Sequence, residues 1–368
     1  MFDLQSLKQK LFTPVDAASV AVFRIGFGVI LLWDVWRYFA HDWIGRFYIE
    51  PGVYFKYYGF EWVQPWGGDG MYVHFAILGL CALLIIFGAA YRLAVVIFTL
   101  AFIYVFLLDQ TRYLNHFYLV ILFSILLCVI PAHRCCSVDA RLRPKLHSSL
   151  LPTWSVWLLR AQMEIMLIYA GLVKINADWL QLEPLRTWLA ERDDFPDIFV
   201  YLFTQDWSSA VAAYGIILLH IVGAPLLLWK RTRLAVFFIY AGFHILNHFV
   251  FTIGIFPWFT LFGSLIFFDP DWPKQFASRI QRLFRGDPAH ALQTTPGETS
   301  NATVKPMPQN LIIVFLCFWV SSQIVIPLRH FLYPGNVSWT EEGHRFSWQM
   351  KLRDKQGRSD FFVLDRQR

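Results

Sequence analysis

Charge is scarce in this chain: Lys, Arg, Asp and Glu make up 16% of its 368 residues, against 57% hydrophobic and 18% aromatic. A soluble domain has no use for repeated apolar runs of about 18 residues or more, whereas a bilayer core about 30 Å thick requires them. The scarcity excludes an ordinary soluble protein, and the fold class expected is an all-α polytopic membrane protein. Cysteine is also sparse. Cys81, Cys128, Cys135, Cys136 and Cys317 lie in or beside apolar runs, and the adjacent pair Cys135-Cys136 lacks zinc-site or redox spacing, so no disulfide framework is implied. Residues 1–19 lack the short apolar core and small-residue cleavage site of a signal peptide, so the first span is expected to be its own targeting signal. No internal repeat is visible. The formal charge of +6 carries no nucleic-acid role, because in a membrane protein it reflects basic loops that fix orientation.

What is present is a series of candidate spans: 18–40, 71–90, 92–108, 113–132, 154–174, 209–229, 233–250, 254–268 and 309–327. They predict a bundle of about nine helices. The stretch from Arg233 to Phe268 would be about 54 Å long as one helix and must break, with Gly254 and Pro257 marking the place. With the N-terminus cytoplasmic, inside loops hold about fifteen Lys and Arg and outside loops about five, and loop 175–208 on the outside is acidic. The expected organisation is a transmembrane domain over 1–274, a cytoplasmic linker over 275–308, a final span over 309–327 and a short extracytoplasmic tail over 328–368. The tail alternates apolar and polar residues, with a turn signal at Lys355-Gln356-Gly357-Arg358, which predicts a small β-hairpin resting on the bundle.

On this topology, Asp109, Asn115, His116, Lys174, His244, Asn247 and His248 all fall in the outer leaflet. Ionisable groups in a bilayer are costly, so a cluster at one depth marks a site more strongly than any single member. Each residue also has a plainer reading. Lys174 could snorkel its ammonium to the headgroups, Asp109 could cap a helix or pair with Arg112, and His116 could be a hydrogen-bonded interior histidine. His244, His248 and His116 could in principle bind a metal, but no carboxylate or further histidine joins them at ligand spacing, and no metal is assigned. Arg160 and Glu164, four apart, could pair within one helix, while Arg24 and Asp34 need partners from other spans. His220, beside Gly223 and Pro225, is either structural or part of a cavity wall. A lysine acts as a base only when neutral, so the ordinary value of about 10.4 must fall, which desolvation can do and a nearby Asp178 would oppose.

The ordered motifs TPVDAASVAVFRIGFG (13–28), YVFLLDQTRYLNHFYL (104–119), HRCCSVDA (133–140), AGLVKINADW (170–179), FHILNHFVFTIGIF (243–256) and FFDPDWP (267–273) resemble the vitamin K-dependent gamma-carboxylase family. In bacteria this family includes the horizontally transferred transmembrane domain (HTTM) proteins. The resemblance continues into the tail through PLRHFLYPGNVSWTEEGHRFSWQM. It implies an integral protein of a bacterial inner membrane that takes a reduced naphthoquinone (vitamin K hydroquinone) as cosubstrate, with O2 and CO2, and a glutamate-containing peptide or protein as substrate. Quinol oxidation to an epoxide would generate the strong base that removes a γ proton from glutamate, and the carbanion would capture CO2, with no metal, biotin or nucleotide.

By the same resemblance Lys174 is the base that deprotonates the quinol, and His116 with Asn115 hydrogen-bonds or stabilises charge on it. His244 and Asn247 match an FHxxN element expected to line the cavity. Departures are the replacement of the first lysine of the family's pair by Val173, His344 in place of an aromatic residue shortly before Ser347-Trp348, and an end about forty residues after the last span. The last feature leads us to expect no propeptide-docking domain of the animal type. Alternative readings are a quinol-epoxidising or quinone-binding protein without carboxylase activity, and a transporter-type protein in which the polar cluster is a permeation site.

Overall fold

The computed structural model describes residues 4–251, 253–285 and 308–353. Its long helices are α1 (Ala18–Ala40), α2 (Gly70–Phe87), α3 (Tyr91–Leu108), α4 (Asn115–Val129), α5 (Thr153–Leu172), α6 (Asp206–Leu228), α7 (Arg233–Val250), α8 (Phe256–Phe267), α9 (Trp272–Arg285) and α10 (Gln309–Val325). Six are long and apolar enough to cross a membrane: α1, α2, α3, α6, α7 and α10 with its continuation to Leu332. Of the nine spans expected from sequence, six are therefore supported by length and composition among the described residues. At 15 residues α4 is about 22 Å long, short of a bilayer core, and the α8 segment is shorter still. α5 has 20 residues but carries Arg160, Gln162 and Glu164 midway.

Burial explains why short or polar helices are tolerated. Most of α4 and α5 is buried within the protein, whereas only 28% of the α6 window and 22% of the α10 window are. A helix surrounded by other helices need not match the lipid thickness, because its ends and polar groups meet protein. The expected break falls between α7 and α8: Gly254 adopts φ 60°, and Pro257 sits in the first turn of α8, where its missing N–H costs nothing. α6 contains a π turn over Leu219–Gly223, just before Pro225, which cannot donate to the carbonyl one turn back.

At one end of the bundle the chain is tied shut. Strand β1 (Pro14–Asp16) pairs antiparallel with β2 (Leu150–Pro152), Asp16 opposite Leu150. Arg24, fully buried, donates to the carbonyls of Ala132 (2.8 Å), Cys135 (3.2 Å), Cys136 (2.6 Å) and Ile86 (3.4 Å). Arg160 does not pair with Glu164. It donates to the carbonyls of Ile266 (2.9 Å) and Phe268 (2.8 Å), because the end of α8 offers it unpaired carbonyls, and both Glu164 carboxylate oxygens are buried without a hydrogen-bond partner among the described residues. Asp34 likewise finds its partner in its own helix, Arg37 at 3.0 Å, rather than in another span.

Three regions expected to be linker, loop or tail carry helical structure. Residues 275–285, read as linker, belong to α9, whose Phe276, Ile280, Leu283 and Phe284 form an exposed apolar stripe at helical spacing. Loop 175–208 holds short helices Ala177–Leu180, Glu183–Ala190 and Asp197–Phe203, packed through Trp179, Leu185 and Trp188. The tail, as far as it is described, contains no strand: a 3-10 segment runs to Leu332 and a short helix spans Val337–Thr340. The hairpin turn expected at Lys355-Gln356-Gly357-Arg358 lies outside the described residues.

Candidate functional site

At the opposite end the helices splay around a cavity of about 640 Å³, within the range of small-molecule sites. Its polar wall brings together Asn115 and His116 from the start of α4, Lys174 just beyond α5, His220 from the π turn of α6 and Asn247 from α7. Nine aromatic side chains, among them Phe117, Trp179, Trp188, Phe243 and Phe256, supply much of the remaining wall. Lys174 is 7% exposed, and its Nζ donates to the carbonyls of Ala170 (3.0 Å) and Met350 (3.3 Å) and lies 5.1 Å from the Trp179 ring centroid. Among the described residues no carboxylate, Asp178 included, forms an ion pair with it.

Two glycines shape the wall. A Cβ on Gly171 would lie 2.8 Å from the His220 Cβ, so the close approach of α5 to the π turn needs a glycine there. At Gly254 a Cβ would point between Arg37 Nη1 (3.4 Å) and His116 Nε2 (3.8 Å).

The tail forms part of the cavity wall through Gln349, Met350 and Lys351. Asn115 Nδ2 donates to the Gln349 carbonyl at 3.1 Å, while the next carbonyl, that of Met350, accepts from Lys174. Two consecutive tail carbonyls thus bridge residues of α4 and of the segment after α5. Trp348, fully buried, packs on Tyr118 with ring centroids 5.1 Å apart, and the Phe346 N–H donates to Tyr113 Oη at 2.8 Å. Phe346, Trp348 and Lys351 all have positive φ, at 64°, 56° and 47°, a region non-glycine residues occupy only when their surroundings impose it.

A family model described as the HTTM domain matches residues 12–272, most of the chain. The chain belongs to the HTTM domain family. A second model, the vitamin K-dependent gamma-carboxylase lumenal domain, matches residues 308–368 and so includes the tail carbonyls that reach Asn115 and Lys174. No solved structure matches the chain.

Within this HTTM protein, not every residue singled out from sequence faces the cavity. Phe243 and Asn247 share the face of α7 that does, and His244, one step round the helix, is turned off the wall. It is buried, stacked on Tyr240, with neither ring nitrogen hydrogen-bonded among the described residues. The expectation that His244 lines the cavity is therefore corrected. His248 packs on Trp258, whose Nε1 donates to its Nδ1 at 3.3 Å. Asp109 is a cap, accepting from Thr111 N (2.9 Å) and Oγ1 (2.8 Å), and it does not pair with Arg112. His344, outside the bundle, meets Tyr113 edge to face.

Other lining groups were not drawn from the sequence: Arg37, Trp43, Phe47, Arg112, and Gln349 to Lys351. Arg37 lies one turn after Asp34, a charge that was noticed, and the i, i+3 spacing was the available signal. Nothing local marks 349–351.

Proposed function

We propose that this HTTM protein is a reduced-naphthoquinone-dependent membrane enzyme of gamma-carboxylase type. The observation that carries the reading is the convergence, on one aromatic-walled cavity, of Lys174 with Asn115 and His116, bridged by tail carbonyls in a segment matched by the carboxylase lumenal model. A flat two-ring quinol fits such a wall, since aromatic faces hold its ring and a few polar groups address its oxygens. Orientation follows the basic loops, which puts the N-terminus in the cytoplasm and the cavity on the extracytoplasmic side of an inner membrane.

Each residue then has a task. Lys174 takes the proton of the quinol hydroxyl. An amine buried without a counter-ion is costly to keep charged, and carbonyls that accept from it hold it in place. Asn115 is fixed by Tyr113 Oη (3.1 Å) and by Gln349, and stands with His116 to hydrogen-bond the oxygen as charge develops. His220 and Asn247 complete the polar wall. Oxidation of the quinol by O2 supplies the base strong enough to remove a glutamyl γ proton, which no side chain can do in water. The tail, with Trp348 as its anchor, keeps water from this step.

The test uses the full chain in lipid with reduced naphthoquinone, O2 and bicarbonate, following quinone epoxide by chromatography. Epoxide from wild type and its loss in Lys174→Ala is the expected result. Absence of epoxide from wild type that demonstrably binds the quinol would overturn the reading.

A further inference from the structure

A neutral quinol does not call for positive charge, yet the cavity wall carries Arg37, Arg112, Lys174 and Lys351 against a single carboxylate, Asp34, among its described lining residues. Lys174 has a place in the chemistry above. The two arginines do not, and they are held as a pair. The Arg37 Cζ lies 4.9 Å from the Trp43 ring centroid, the Trp43 and Phe47 rings stack at 6.1 Å and 20°, and the Arg112 Cζ lies 3.9 Å from the Phe47 centroid. Two guanidinium groups thus flank one aromatic pair on the cavity wall. Stacking occupies their faces and leaves their N–H edges directed sideways.

Those edges have little to do within the protein. Arg37 makes one side-chain hydrogen bond among the described residues, from Nη1 to Asp34 Oδ1 at 3.0 Å, and the Arg112 guanidinium makes none. Buried Arg24, by contrast, is held by four carbonyls. A guanidinium carries five donors in a planar fork matched to carboxylate. Gly254 keeps the space beside Arg37 and His116 free of a side chain.

We propose that Arg37 and Arg112 form the subsite for the carboxylate of the substrate's acidic side chain, placing it in the same cavity as Lys174 and His116. The inference rests on the proposed function for the identity of that substrate, but its test needs no turnover. Full-length protein in zwitterionic nanodiscs, without quinol, is titrated with N-acetyl-glutamate methylamide and with its glutamine counterpart, binding being read by calorimetry. Glutamate binding at least about tenfold tighter than glutamine is expected, since a charged hydrogen bond contributes about 1.5–3 kcal/mol. Arg37→Gln and Arg112→Gln should each abolish most of that preference, and Arg112→Lys should restore part of it. Arg37→Gln strands Asp34 and can lower stability, so the solvent-exposed Arg112, free of hydrogen bonds, is the decisive variant. Equal binding of the two probes, an unchanged preference in Arg112→Gln, or displacement by bicarbonate or phosphate but not by glutarate would overturn the proposal. Arginine-dependent glutamate binding in a protein that makes no epoxide would instead sink the proposed function alone.

Discussion

The two ends of the helical bundle spend the same residue types in opposite ways. At the closed end the buried arginines are held by several protein acceptors each: Arg24 by four carbonyls, Arg160 by two, Arg233 by Asp269 at 3.1 Å and by the carbonyls of Leu227 and Leu228. At the cavity end Lys174 reaches two carbonyls, Arg37 one carboxylate oxygen, and Arg112 only a ring face. Arg112 is exposed and the Arg37 side chain is 18% exposed, so water completes their free donors until a ligand displaces it. Burial among several protein acceptors, rather than charge, separates the arginines that hold this fold together from those available to a ligand.

That contrast can be broken at either end. The largest effect is expected at Lys174: Lys174→Ala should lower epoxide formation by about 10²–10⁴-fold, the range of a lost general base, while the melting temperature in nanodiscs stays near wild type. At the closed end the pattern should invert. Arg24→Met strands up to four carbonyls at about 1–3 kcal/mol each, so thermal melting should fall sharply or the protein fail to accumulate, with any folded fraction still binding quinol. A folded Arg24→Met that lost quinol binding but not stability would contradict the division.

Trp348→Ala sharpens the comparison by releasing the tail. Removing a fully buried tryptophan costs about 3–5 kcal/mol, and this should appear as protease access at residues 344–353 and reduced epoxide yield with the helical melt little changed. Gly254→Ala has a smaller expected effect. A residue with φ 60° costs about 1–2 kcal/mol without glycine, and the added methyl would stand in van der Waals contact with Arg37 and His116, in space left to a substrate, so substrate KM should rise more than kcat falls.

The smallest effect concerns pH. Burial holds the His344 pKa below its ordinary 6.5, so the neutral ring belongs to the docked tail. The stabilisation is complete above pH 6.5 and is lost as pH falls through the lowered folded value, so amide exchange over 344–353 should quicken from about pH 7.5 to about pH 5. No change in exchange would place His344 outside the docking contact.

Much of this was legible in the sequence where the signal is local. Hydropathy located the helices, Gly254 and Pro257 located the break, and depth sorting gathered Asn115, His116, Lys174 and Asn247 before any contact was seen. Hydropathy could not say that α4 is too short to span or that it lies in the bundle interior, because a window average reports composition and not neighbours. α9 was missed because it is too basic to register as an apolar run and leads directly into a Pro- and Thr-rich stretch, although Phe276, Ile280 and Phe284 recur every four residues. His244 and Asn247 were credited alike, and only helix rotation separates them. The tail contacts, 115 to 349 and 174 to 350, join segments far apart in the chain, and no periodicity encodes them.

Those two contacts also fix an order of assembly. The carbonyls that steady Asn115 and Lys174 arrive only after α10 has been inserted and the chain has returned to the cavity end. Every other wall of the cavity can stand before then. A chain caught at that stage lacks both acceptors, so Asn115 and Lys174 stand on the cavity wall without the tail carbonyls that hold them afterwards.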